Sequence, residues 1–374
     1  MGRFIVMDIV FHGNSLNYDQ GGSNYQELKK ITKWDGKQYT FVSRYALRYS
    51  ILETGREFGY WKLAEGNELK KEKGKNEAKG KEVIQPNKSL LFNGKILDYP
   101  EFDLFGYLIT STKPQNFREA PVKISHAISM TPFSYDALFN ANVGLANRLR
   151  KTVGDMNPNP FTSEEHFAYY QYSVVIDVDR IGKIEVYYKL EGKNKKEEIF
   201  SVDENYKNKI ELKQYSRKDD TLFIGTFSLK DEEEIKKRIK NLIKVILNLK
   251  RSIKGRLEDL SPKVLVLGVY KDSPYKTYKD KISLVDEYTE EEYDEIEEIK
   301  DKNAVRVKHI IRKSKKPVFE ISDFPENNKE KLNEEEILSI VEELFKEKNN
   351  ETEEENKLEK IKLFYSPEVE IRIK

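Results

Sequence analysis

The chain has 374 residues, 38% of them hydrophobic, no cysteine, and a formal net charge of +1 at pH 7. That length holds one large domain with insertions or two modest ones, and the apolar content fills a core without staples. The lack of cysteine removes disulfides, thiolate metal sites and cysteine nucleophiles together, and it fits a reducing, cytoplasmic setting. The near-zero net charge conceals a division. Residues 1–285 hold 49 Lys+Arg against 38 Asp+Glu, whereas residues 286–374 hold 17 against 27. A basic body is the electrostatic footprint of a phosphate binder, and an acidic tail suits contact with a neighbour's basic face; Lys and Glu that merely solvate surface loops give the same count.

Arg3 to His12 is β-prone and apolar and reads as a central strand. Asp8 and the short length argue against a membrane span, and no small-residue cleavage pattern marks a signal peptide. A long polar loop follows, carrying Asn14, Asn17, Asn24, Lys29, Lys30 and Lys33. Ser43 then stands as an N-cap before a helix from Arg44 to Glu53, with Leu47 and Ile51 on one face and Gly55 as its stop. Gly66 to Lys81 has almost no apolar residue and reads as a flexible loop. Strand-like text returns at Asp103 to Ser111 and at Pro121 to Phe133, a loop-rich stretch runs to Glu165, and His166 to Val178 alternates as a core strand does. Lys183 to Phe227 reads as hairpin strands with a Lys-rich tip at Gly192 to Lys196. Asp231 to Leu257 predicts an amphipathic helix, with Ile235, Ile239, Leu242, Ile243, Ile246 and Leu249 as its stripe. Val264 to Tyr270 is a compact apolar strand.

Stripped of insertions, this order is strand, helix, strand, strand, helix, strand: an α+β chain with the ferredoxin-like arrangement shared by RNA recognition motif (RRM) folds. This arrangement occupies 1–275, with a hairpin insertion at about 183–227. Residues 276–374 form an acidic extension packed on or beside it. Within that extension, strands are expected at Lys279 to Val285 and Val305 to Ile311, and an amphipathic helix at Asn333 to Lys346. Alternation marks Lys360 to Lys374, an acidic run covers Asp286 to Asp301, and Glu347 to Lys357 is a polar linker.

Catalytic motifs are scarce. His12, His126, His166 and His309 have no metal-ligand spacing, and neither a Walker-type loop, a G-x-G-x-x-G nor a G-x-S-x-G occurs. No metal and no cofactor is expected. Ser125 and His126, as strand neighbours, point to opposite faces. The carboxylates Asp8, Asp19 and Asp35 are candidates for a divalent-metal nuclease, against a plain reading as turn or solvated groups. The run Glu290 to Glu298 reads better as an interaction surface.

Phosphate-binding chemistry is richer. Arg44 and Arg48 lie one turn apart beside the helix N-terminus opened by Ser43, where free N–H groups favour an anion. Lys29, Lys30 and Lys33 lead into that helix, and Asn14, Asn17 and Asn24 offer amides to sugar or phosphate. Arg118 and Lys123 bracket a segment with His126, Met130, Phe133 and Tyr135, a basic and aromatic mixture able to hold a backbone and wedge against bases. Surface charge and core packing compete with these readings, core packing chiefly at Met130.

Three stretches carry a resemblance: Gly13-Asn14-Ser15-Leu16-Asn17, Val42-Ser43-Arg44-Tyr45-Ala46-Leu47-Arg48, and Arg118 through Phe133. Together they resemble the DevR branch of the seventh Cas protein family, the backbone subunit of type I-B CRISPR Cascade complexes, over roughly residues 1–275. The resemblance implies a modified RRM palm with fingers (about 56–102) and a thumb (about 134–165). It implies a non-enzymatic subunit whose copies line up head to tail along the CRISPR RNA, with other Cascade subunits and the target DNA strand as further partners. RNA contacts then map onto Ser43, Arg44 and Arg48, onto Asn14 to Lys30, and onto Arg118 to Phe133. The aromatic signature of ordinary RNA recognition sheets is missing, so loops and helix ends must carry the RNA. Related type III subunits cut target RNA with a loop aspartate, a role open here to Asp19 or Asp35. The family's historical name and the basic body also leave a DNA-binding regulator as an alternative.

Overall fold

In a computed structural model, the residues described are 2–19, 22, 24–73, 82–155, 158–190, 200, 202, 206–216, 222–286, 290–300, 303–313, 316–346 and 357–374, with backbone only at 71–73, 82, 216, 286, 290–300 and 303–313. The chain is α+β. Its central sheet runs Lys329–Lys331, Leu358–Tyr365, Val264–Lys271, Arg3–Asn14, Phe167–Asp177, Ala127–Ser129, Gln38–Val42, Lys30–Thr32, with Val122–Ile124 also pairing with Phe167–Asp177. Every pairing is antiparallel except that of Lys329–Lys331 with Leu358–Tyr365.

The first strand is apolar from Phe4 to Phe11 except at Asp8, because both its faces are buried. Ile5, Met7, Ile9 and Phe11 meet Leu47 and Ile51 of the helix Arg44–Glu57 and Ile239, Leu242 and Ile246 of the helix Glu232–Leu247. On the opposite face Val10, Val264, Val266 and Leu363 pack under Tyr278, Ile282, Phe319, Ile321 and Phe324 of the C-terminal segment. Asp8 points into this second layer. It accepts from Ser173 Oγ and, at 2.5 Å, from Tyr278 N–H, and burial raises its pKa. It is therefore a buried structural carboxylate, not a solvated one.

The two insertions read separately in the sequence share one core. Leu91, Ile96, Leu97, Tyr99 and Ile109 pack with Ile184, Val186, Phe223 and Phe227. The latter belong to a three-stranded sheet of Lys183–Lys189, Leu222–Leu229 and Ile210–Ser216.

Several boundaries differ from expectation. The first helix continues through Gly55 to Glu57, and the reversal falls at Gly59, whose φ is +71°. Gly55 serves packing: a Cβ there would lie 1.9 Å from the Trp61 ring. The second long helix stops at Leu247 rather than Leu257, because Lys254 and Gly255, both at positive φ, turn a hairpin of Lys250–Ile253 and Arg256–Asp259. Asp103 belongs to a short helix, Pro100–Phe105, with Pro100 at its start. Residues 66–73 are not loop: Gly66–Glu68 is a 3₁₀ turn and Leu69–Lys73 pairs with Glu82–Pro86, while 74–81 lie outside the described residues. So do the Lys-rich tip at 192–196 and nearly all of the linker at 347–357.

In the extension, Lys279–Lys281 is a 3₁₀ turn ahead of the strand Ile282–Asp286, and Asn333 caps the helix Glu334–Glu342. Leu358–Tyr365 enters the central sheet. The acidic run Glu290 to Glu298 is a strand paired with Asn303–Lys313, and its side chains lie outside the description.

Candidate nucleic-acid interface

Ser43 is the N-cap of the first helix, its Oγ accepting from Ala46 N–H at 3.2 Å. The next free donor, Arg44 N–H, is taken by His126 Nδ1 at 2.9 Å. Burial, Arg44 and Lys279 hold the His126 pKa below its usual value, which keeps the accepting nitrogen unprotonated. The helix start is thus largely satisfied from within, so an anion must be held here by side chains rather than by open backbone N–H groups.

Those side chains converge. A cleft of about 420 Å³ is lined by Arg44, Tyr45, Arg48, Phe105, Glu119 and Lys123, among others. Arg44 is exposed and lies 5.0 Å from the Tyr45 ring centroid, with a 2.9 Å bond to its hydroxyl that lowers the Tyr45 pKa. Arg48 is half-buried over Phe105, 5.4 Å from the centroid, and burial lowers its pKa. Lys123 pairs with Glu119 at 3.1 Å, and Arg180 reaches the same carboxylate. The pair is well exposed, so its replacement by a phosphate contact costs little.

Elsewhere the structure separates free groups from engaged ones. Arg118 is not available to a ligand: its side chain is 7% exposed, and its guanidinium binds Asp103 Oδ1 at 2.7 Å and the carbonyls of Asp103, Arg180 and Lys183. Lys30 is committed to buried Glu164 at 2.7 Å, and Lys29 pairs with Asp19 at 2.9 Å. Asn17 Oδ1 accepts from Ser43 N–H, and Asn14 Oδ1 accepts from Ser15 Oγ, so both amides brace the loop. Phe133 is half-buried against His166, and Met130 packs on the second-face core. Asn24 and Tyr135 remain exposed, the latter at 70%. Lys33 lies over the Tyr39 ring at 4.0 Å.

Asp35 accepts from Lys37 N–H and Tyr39 OH, which lower its pKa, as expected of a turn residue. Among the described residues, no three His, Asp or Glu side chains group as metal ligands. Several exposed aromatics are not marked in the sequence, Tyr45 and Trp34 among them. Tyr45 lines the cleft, and Trp34, 98% exposed, stands at the tip of the hairpin Lys30–Thr32/Gln38–Val42. The Asp35-Gly36 pair was the available signal for that hairpin.

A family model described as "CRISPR-associated negative auto-regulator DevR/Csa2" matches residues 5–293. The chain belongs to the DevR/Csa2 family. The match places the cleft and both long helices inside the family region and leaves the last 81 residues beyond it. No curated protein matches the chain. Among solved structures, this DevR/Csa2 member is similar to a chain of a "CRISPR RNA-guided surveillance complex, pre-nicking", at 13% identity and a TM-score of 0.43, over 73% of this chain and 80% of that one. A chain of another "CRISPR RNA-guided surveillance complex" gives 12% and 0.39 over 73% and 72%, and one of a "Type IV-B CRISPR Complex" gives 12% and 0.27 over 46% and 71%.

Proposed function

We propose that this DevR/Csa2 chain is a CRISPR RNA-binding backbone subunit of a type I-B Cascade complex. The observation that carries the reading is the cleft in which Arg44, Arg48 and Lys123 meet beside the exposed Tyr45 ring. Cations with an adjacent aromatic hold a phosphate chain while tolerating any base, and a guide RNA changes sequence while its backbone does not. The order Val264–Lys271, Arg3–Asn14, Phe167–Asp177, then the short strands at 122–129, with both long helices on one face, supports a ferredoxin-like RRM palm.

The sheet face that ordinary RNA recognition modules use for bases is covered here by the C-terminal segment, which suits a protein lacking their aromatic signature. The segment 134–165 is read as the thumb. Its helix Val143–Val153 buries only Ala146 and leaves Val143, Leu145, Leu149 and Val153 between 41% and 65% exposed, in keeping with packing against further copies in a head-to-tail row. In this reading the protein is cytoplasmic, non-enzymatic, and presents its guide to a target DNA strand among other Cascade subunits.

The test is fluorescence anisotropy with labelled single-stranded RNAs of unrelated sequence. The Arg44→Ala/Arg48→Ala double variant is expected to weaken all of them alike and to flatten the salt slope by about 0.7 per lost contact. Unchanged affinity and slope refute the cleft. The family's description as an auto-regulator favours one second reading, duplex DNA binding, for which preference for duplex DNA over RNA at equal salt is the sign.

A further inference from the structure

A second cleft, of about 350 Å³, opens where the hairpin, the central sheet and the C-terminal segment meet. Its polar lining is Lys33, Ser129, Gln171, Lys279, Asp280 and Ser283, with Ile128, Met130, Ile282 and Leu284 supplying the apolar surface. Two features set it apart. Gln171 Nε2 is buried with no hydrogen-bond partner, and a buried donor left open costs stability unless a ligand supplies the acceptor. Among the described residues, neither Lys33 nor Lys279 has a carboxylate within ion-pairing distance, although both face the same space.

We infer that this cleft is a single-nucleotide pocket for bound RNA, with Lys33 and Lys279 on a phosphate, Gln171 Nε2 donating to a base carbonyl, and Met130 and Leu284 against the ring. The inference rests on the RNA-binding reading above and adds to it a site to which the C-terminal segment contributes. The volume is more than ten times the roughly 30 Å³ share of one liquid water, so the space suits a ring with its phosphate rather than an ion. The apolar wall beside a few convergent donors has the composition of a ligand pocket. Burial lowers the Lys33 pKa, and Lys279 adds to the lowering while Asp35 and the exposed Asp280 oppose it; Lys279 acts in the same sense on His126. An anionic oxygen between the two ammonium groups relieves that repulsion. Asp280 at the rim supplies an acceptor for a base N–H, which a site for free phosphate would not want.

The experiment compares wild type, Gln171→Leu, Lys279→Ala and Lys33→Ala for binding of a fluorescein-labelled 12-nucleotide single-stranded RNA, with thermal unfolding measured on each. Gln171→Leu keeps the volume and removes an unsatisfied donor, so its Tm should hold or rise while RNA affinity falls about tenfold. Each lysine variant should lose about tenfold and lower the salt slope by about 0.7, whereas Gln171→Leu leaves the slope unchanged. If wild type binds the RNA and the three folded variants bind equally well with the same slope, the pocket is refuted and the arginine cleft stands. If wild type does not bind RNA, the parent reading falls and the pocket with it. Lys33 sits on an exposed hairpin, so its variant decides the matter even if Lys279→Ala, beside the Asp8 anchor, loses its fold.

Discussion

Asp103→Ala is expected to remove a large share of the stability of this protein. The carboxylate is fully buried and accepts from Arg118 Nη2 at 2.7 Å, from Arg238 Nη1 at 2.9 Å, and from Gly182 N–H at 2.9 and 3.0 Å. The two arginine side chains are 7% and 8% exposed, so truncation leaves both charges out of water without their main partner. Deleting one member of a buried pair costs about 3–5 kcal/mol, and the orphaned Gly182 N–H about 1–3 more. These losses belong to one network and do not add fully. Arg238 also keeps Glu234 at 3.1 Å and Arg118 keeps its carbonyls, which places the net cost near 4 kcal/mol, within the range for one broken pair. Against a total of about 5–15 kcal/mol that is a quarter or more of the margin. The network joins the short helix Pro100–Phe105, the loop at Gly182 and the helix Glu232–Leu247, so its loss should be felt globally. Urea unfolding followed by circular dichroism should show the midpoint falling by more than about 1 M, taking a slope near 3 kcal/mol per M. A fall under about 0.3 M refutes the argument. The same measurement separates two roles for Arg118: Arg118→Gln should lower stability while leaving the salt slope of RNA binding unchanged.

Acidification should weaken the fold. Burial holds the pKa values of His12, His126 and His166 below normal, so the unfolded chain protonates first. The stabilising contribution is complete above about pH 6.5 and is lost as pH falls through the folded-state values. Urea midpoints at pH 7.5 and 5.5 test this. His126→Asn, which keeps an acceptor near Arg44 N–H but cannot titrate, should show a shallower dependence than wild type, and an equal one counts against the assignment. Gly55→Ala should destabilise by more than about 2 kcal/mol, since its methyl meets the Trp61 ring where a surface helix position would gain from alanine. A raised Tm in a thermal melt contradicts that packing.

The sequence by itself determined the α+β class, the Ser43 cap, the buried strands at the start of the chain and at 264–271, and the stripe of the second long helix. Each of these is written in neighbouring residues: a cap oxygen ahead of a helix, an unbroken apolar run, apolar positions at helical spacing. Strong propensity also misled where a turn intervened, as at Lys254-Gly255, which ends a pattern that reads as continuing helix. Only the tertiary structure decided which cations are open to a ligand. Lys30 and Arg44 look alike in the sequence, yet Lys30 is engaged by Glu164, 134 positions away, and Arg118 by Asp103, while Arg44, Arg48 and Lys123 border one cleft. The same holds for Lys279 and Gln171, brought to one pocket from segments more than a hundred residues apart. An isolated lysine or glutamine carries no local mark of its partner, because ion pairs and buried donors are set by which surfaces the packed sheet and helices bring together, and that information is distributed over the whole chain.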